Sequence, residues 1–92
     1  MEQLPKYQDL IRPILLVLSR AEKPFSNAEI ELGVVSELGV PSDLASLIHS
    51  GNRTELQYRL AWARTKAKSS GWLRSPKRET WEITSAGKAQ LQ

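Results

Sequence analysis

Cysteine is absent from these 92 residues, and histidine occurs once, as His49. Without thiols there are no disulfides and no thiolate metal sites, and a single imidazole forms no metal cluster by itself. Long apolar runs are missing as well. The longest, Ile14 to Leu18, is five residues, far short of the roughly 20 needed to cross a bilayer. Glu2 and Asp9 flank a weakly apolar opening that lacks the form of a secretory signal. A cytoplasmic protein with no membrane attachment is the expectation.

Catalytic groups are equally scarce. Aspartate occurs only as Asp9 and Asp43, so with no cysteine and one histidine the usual nucleophilic triads have no members. A metal-dependent nuclease needs clustered carboxylates, commonly with a lysine two residues after an acid or amide, and no Glu-x-Lys or Gln-x-Lys occurs. No glycine-rich phosphate loop is present either. The chain by itself is expected to be no enzyme, and to use no metal, cofactor or small-molecule substrate.

What is present reads as one domain spanning residues 1–92, with 40% hydrophobic and 25% charged residues, the balance of an ordinary globular core. The net charge of +3 is unevenly spread. Residues 1–52 carry four basic residues against seven acidic ones, and residues 53–92 carry nine against three. One phosphate-facing side gives such an asymmetry, as do many domains without one.

In chain order, residues 1–6 are expected to fray. Tyr7, Leu10, Ile11, Ile14, Leu15 and Leu18 then mark an amphipathic helix to about Ser19. Pro13 leaves its start open, near Tyr7 or near Arg12. Pro24-Phe25 is a candidate for a very short strand. Ser26 with Glu29 forms a capping box that opens a helix from Asn27 to about Leu38, stopped by Gly39. Gly33 inside it costs roughly 1 kcal/mol relative to alanine. Pro41-Ser42-Asp43 starts a short helical segment through Leu44, Leu47 and Ile48, ended by the turn residues His49 to Asn52.

Thr54 with Gln57 is a second capping box, opening a third main helix to about Ser70, with Gly71 as its left-handed stop. Trp72-Leu73 and Thr80 to Thr84 read as strands joined by a basic turn, Pro76 to Glu79. Thr84 or Ser85 caps a weak closing helix through Leu91, weakened by Gly87. The fold class is α+β and mostly helical: a winged helix-turn-helix with three main helices, a small antiparallel hairpin as wing, and a short C-terminal helix.

Advancing about 100° per residue from Leu56, Leu60, Ala63 and Ala67 fall on one core stripe. Arg64, Gln57, Lys68, Ala61 and Thr65 fall between about 80° and 180° and are expected to face outward. Arginine and lysine suit phosphates or guanine edges, glutamine suits adenine, and alanine or threonine can touch a thymine methyl. Arg53 and Thr54 sit at the positive end of the same helix, and Arg74, Lys77 and Arg78 lie on the hairpin. Many solvated helices carry two cations; it is the order helix, helix, helix, basic hairpin that favours nucleic acid. Trp62 is expected to pack on the first helix, Trp72 and Trp81 to line the inner face of the hairpin, and Arg59 to form an ion pair. Tyr58 is left open, and His49 is expected in a loop without chemical duty.

The runs Tyr58-Arg59-Leu60-Ala61-Trp62-Ala63-Arg64, Ser70-Gly71-Trp72-Leu73-Arg74-Ser75-Pro76-Lys77-Arg78 and Trp81-Glu82-Ile83-Thr84 resemble the N-terminal domain of Mrr-type restriction endonucleases. Tyr7 and Ile11-Arg12-Pro13-Ile14-Leu15 fit the proline-containing first helix of that family, and the similarity runs from about Leu4 to Ala89. Glu79 departs from it, standing where the family often has glycine. The resemblance implies a winged-helix domain that targets double-stranded DNA, methylated or not, for a nuclease domain of the PD-(D/E)xK class that these residues do not include. The expected function is target recognition for a modification-dependent restriction endonuclease. The alternatives are a protein-interaction or homodimerising winged helix and a stand-alone transcriptional regulator.

Overall fold

A computed structural model of the chain describes residues 3–92. The expected fraying of residues 1–6 falls partly on Met1 and Glu2, which lie outside the described residues. From Leu4 onward it is overturned. Leu4 is buried, and Arg59 donates from Nη1 to the carbonyls of Leu4 and Pro5, both at 2.9 Å. A cation on a later helix therefore ties down the entry to the first.

The first helix, α1, is Tyr7–Ser19, so the earlier of the two starts is the correct one. Pro13 sits inside it, where its ring is buried; the missing N–H removes one main-chain bond. Leu10, Ile14, Leu15, Val17 and Leu18 are buried with it. Helix α2, Asn27–Leu38, opens on the complete Ser26–Glu29 capping box and ends at Gly39 with φ of 65°. Helix α4, Glu55–Ser69, opens on the equivalent box of Thr54 and Gln57, and the chain leaves it through Gly71 with φ of 82°. Helices α1, α2 and α4 enclose one core, in which Leu10, Ile14, Ile30, Val34, Leu56, Leu60 and Ala63 are fully buried.

A three-stranded antiparallel sheet closes one side, in the order β1 (Phe25–Ser26), β5 (Thr80–Ile83), β4 (Leu73–Arg74). Phe25 pairs with Trp81, and Leu73 pairs with Ile83. The short strand expected at Pro24-Phe25 thus exists, one residue later. Thr84, and not Ser85, caps the closing helix α5, Ser85–Ala89, accepting from the amide of Gly87. Gly87 is no mere weakness in it. A Cβ there would stand 2.2 Å from the Trp72 carbonyl oxygen, so a backbone crossing requires the missing side chain.

The connection before α4 departs most from expectation. After the four-residue helix α3, Ser42–Ala45, residues Ile48–Ser50 (β2) and Arg53–Thr54 (β3) form a second antiparallel hairpin. Leu47 and Ile48, expected within the short helical segment, lie beyond its end and are exposed. A β-branched residue and a Gly51-Asn52 turn favour the hairpin, and Gly51 turns it with φ of 54°.

Candidate nucleic-acid interface

Gln57 is engaged by the capping box at the start of α4 and by a carboxylate of α2. Its Oε1 accepts from the Thr54 amide at 3.0 Å, its own amide donates to Thr54 Oγ1 at 3.0 Å, and its Nε2 donates to Glu31 Oε1 at 3.2 Å. With one lone pair and one N–H committed in this way, the Gln57 amide is held in the cap and against α2, so its outward reading is corrected. The Thr54 hydroxyl is engaged in the same box.

Arg64 also departs from its place on the outward face. Only 8% of it is exposed, because the margin of the core stripe, about 80° from Leu56, is covered by the start of α2 and by β5. Its guanidinium lies 5.6 Å from the centre of the Trp81 ring. Nε is buried with no hydrogen-bond partner. Burial, and secondarily the nearby charge of Arg53, lowers its pKa from the usual arginine value, with Glu31 acting the other way. Arg64, Arg53, Gln57 and Leu60 form one wall of a groove of about 270 Å³ whose other wall is Asn27, Ala28 and Glu31 on α2.

The remaining positions are open to solvent. Arg53, Thr65 and Lys68 are exposed, and Ala61 is half-buried. Arg53, Ala61 and Thr65 border one shallow groove with Tyr58 and Trp62. Lys68 Nζ stands 5.9 Å from the Trp81 ring, so two cations from successive turns of α4 flank one indole. On the hairpin, Lys77 and Arg78 are exposed, while Arg74 is held by Glu82 on the facing strand. Arg74 is therefore less free than its sequence position implies.

Trp81 and Trp72 pack on the core as expected, and Trp81 Nε1 donates to Asn27 Oδ1 at 2.7 Å. Trp62 reaches α1 through Tyr7, with ring centres 6.5 Å apart, yet it remains 51% exposed. His49 is on strand β2 rather than in a loop. Its ring stacks on Tyr58 at 3.9 Å, and Nδ1 lies 2.8 Å from Glu55 Oε1. Arg59 donates from Nε to Glu55 Oε2 at 2.8 Å, the expected ion pair. The sequence does not reveal the aromatic row Tyr7, Trp62, Tyr58, His49 along α4, because the short strand β2 that brings His49 onto Tyr58 leaves no periodic signal. What these groups offer chemically is cationic contact and ring stacking.

The family model described as the Mrr N-terminal domain matches residues 7–92. No significant match is found among curated proteins or solved structures.

Proposed function

The chain belongs to the Mrr N-terminal domain family, and from that premise we propose that it is a winged helix-turn-helix module that binds duplex DNA. In this reading it is the target-recognition part of a restriction endonuclease system that acts on modified DNA. Helix α4 enters the major groove and the β4–β5 hairpin lies on the flanking backbone. The observation that carries the reading is the set of exposed cations Arg53, Lys68, Lys77 and Arg78, on α4's leading edge, its exposed side and the hairpin. None of the four pairs with a carboxylate among the described residues. Thr65 and Ala61 lie on the same helix with room for close approach.

The test is fluorescence anisotropy with methylated and unmethylated duplexes at two salt concentrations. Affinity should fall as salt rises, and Lys68→Ala or Arg78→Ala should weaken it while leaving the fold intact. Affinity indifferent to both substitutions and to salt would remove this surface from any DNA contact.

A second reading, a protein-interaction or self-associating winged helix, draws on apolar side chains left in solvent. Leu32, Ile48, Trp62 and Leu47 are 71%, 66%, 51% and 49% exposed. It calls for concentration-dependent association in sedimentation equilibrium, reduced by Ile48→Ser, with no salt-dependent affinity for duplex.

A further inference from the structure

The groove between α2 and α4 contains a cation, Arg64, that makes no ion pair or hydrogen bond among the described residues, although Glu31 lines the same groove and partly offsets its charge. Arg64 is more than nine-tenths buried and has an unpartnered Nε. The carboxylate lining the groove belongs to Glu31, and its Oε1 already accepts from Gln57 Nε2. A buried charge without a hydrogen-bonded partner is costly to keep. The opposite wall is the start of a 12-residue helix. There the Ser26 amide donates to Glu29 Oε1 and the Glu29 amide to Ser26 Oγ. The amides of Asn27 and Ala28 remain without an intrahelical acceptor, at the positive end of the helix dipole.

We propose that this groove is an anion slot that takes one phosphate group. Arg64 is its fixed cation, Arg53 closes its mouth, and the Asn27 and Ala28 amides donate from the facing wall. Phosphate oxygens can meet the guanidinium only at the N–H groups that the groove leaves open, since Nε itself is enclosed. Trp81, anchored by Asn27, backs the guanidinium and fixes its direction. The role differs from base reading: Arg64 sets the register of α4 on a backbone phosphate and carries no sequence information. That the phosphate is a DNA diester rests on the proposed function; the slot itself would also take a free phosphate ion.

Two measurements on the full chain separate these. In the first, inorganic phosphate is titrated at constant ionic strength and followed by amide and arginine Nε–H resonances. Wild type should give saturable shifts at Asn27, Ala28 and Arg64, and these should be lost in Arg64→Gln. Ala28→Asp should lose them too. It places a carboxylate in the groove at an exposed first-turn position that favours acids, so it guards against misfolding of the arginine variant. In the second, duplex affinity is measured against salt. Each variant should lower the slope of log K against log salt by about 0.9, the contribution of one phosphate, equally on methylated and unmethylated duplexes.

An unchanged slope in both variants, with wild type binding duplex normally, overturns the slot and leaves the DNA reading standing. Phosphate shifts confined to the groove, with no duplex binding, support a slot for free phosphate and sink the DNA reading. Phosphate shifts of equal size in wild type and Arg64→Gln overturn the assignment of Arg64.

Discussion

Gly33 of α2 faces Val17 of α1 so closely that a Cβ on the glycine would stand 2.6 Å from Val17 Cγ1. The two helices meet because one of them has no side chain there. Helix propensity alone favours Gly33→Ala by roughly 1 kcal/mol, but the added methyl meets a buried, β-branched residue with little rotamer freedom. Overpacking of this kind costs about 1–3 kcal/mol. Gly33→Ala is predicted to lower stability in urea denaturation, and a double-mutant cycle with Val17→Ala to give a favourable coupling. A stabilised single variant would show that the helices can separate without penalty.

The indole of Trp81 is tethered to α2 by its bond to Asn27 Oδ1, 2.7 Å long. Asn27→Ala strands a half-buried N–H, and about 1–3 kcal/mol of stability should be lost. Asn27→Asp, which keeps the acceptor, should lose less. Equal melting temperatures for all three proteins would mean that water replaces the amide without cost.

Glu79 is the one non-glycine residue with positive φ among the described residues, at 59°. A side chain in the left-handed region costs about 1–2 kcal/mol, partly offset by the greater chain entropy of glycine when unfolded. Glu79→Gly should therefore be neutral or mildly stabilising. It also removes an acid beside Arg78 and raises the net charge from +3 to +4, so duplex affinity should rise, most clearly at low salt. A weaker-binding variant would show that the carboxylate, rather than the turn, shapes the hairpin for its partner.

Glu55 binds Arg59 and His49 at once, and the Arg59 hydrogen bond, followed by that of His49, lowers its pKa from the ordinary carboxylate value. A group with a depressed folded-state pKa stabilises fully above its unfolded-state pKa and loses that contribution as pH falls through the folded one. Wild type should thus lose melting temperature more steeply than Glu55→Gln below about pH 4.5, the ordinary range of a glutamate. The difference between them should shrink as the pH is lowered and in high salt. Parallel curves from pH 6 to pH 3 would mean that the pair contributes nothing to folding.

The chain's own sequence determined what neighbours along it decide. Ser26 with Glu29 and Thr54 with Gln57 lie three residues apart, and both boxes form where expected, because capping joins groups within one turn. Gly39 and Gly71 end their helices for the same local reason. The core stripe of α4 was legible because Leu56, Leu60, Ala63 and Ala67 repeat at the period of the helix itself.

Only the tertiary structure decided the fate of residues at the margin of that stripe. A helical projection gives an angle about one axis and does not say what lies across from it. Arg64 is buried because the start of α2 and Trp81 cover that edge, and Gln57 is occupied because Glu31 stands opposite. Gly33 and Gly87 looked like weak points along the chain; each is where a second segment passes too close for a Cβ. The β2–β3 hairpin is hidden in the sequence, where Ile48 reads as helical and His49 to Asn52 as a turn. Its strands are three and two residues long, and so short a stretch leaves no periodic signal. Thus the helix whose projection turns Gln57, Ala61, Arg64, Thr65 and Lys68 outward presents Lys68 and Thr65 fully, half-buries Ala61, holds Gln57 in its cap, and keeps Arg64 inside the groove.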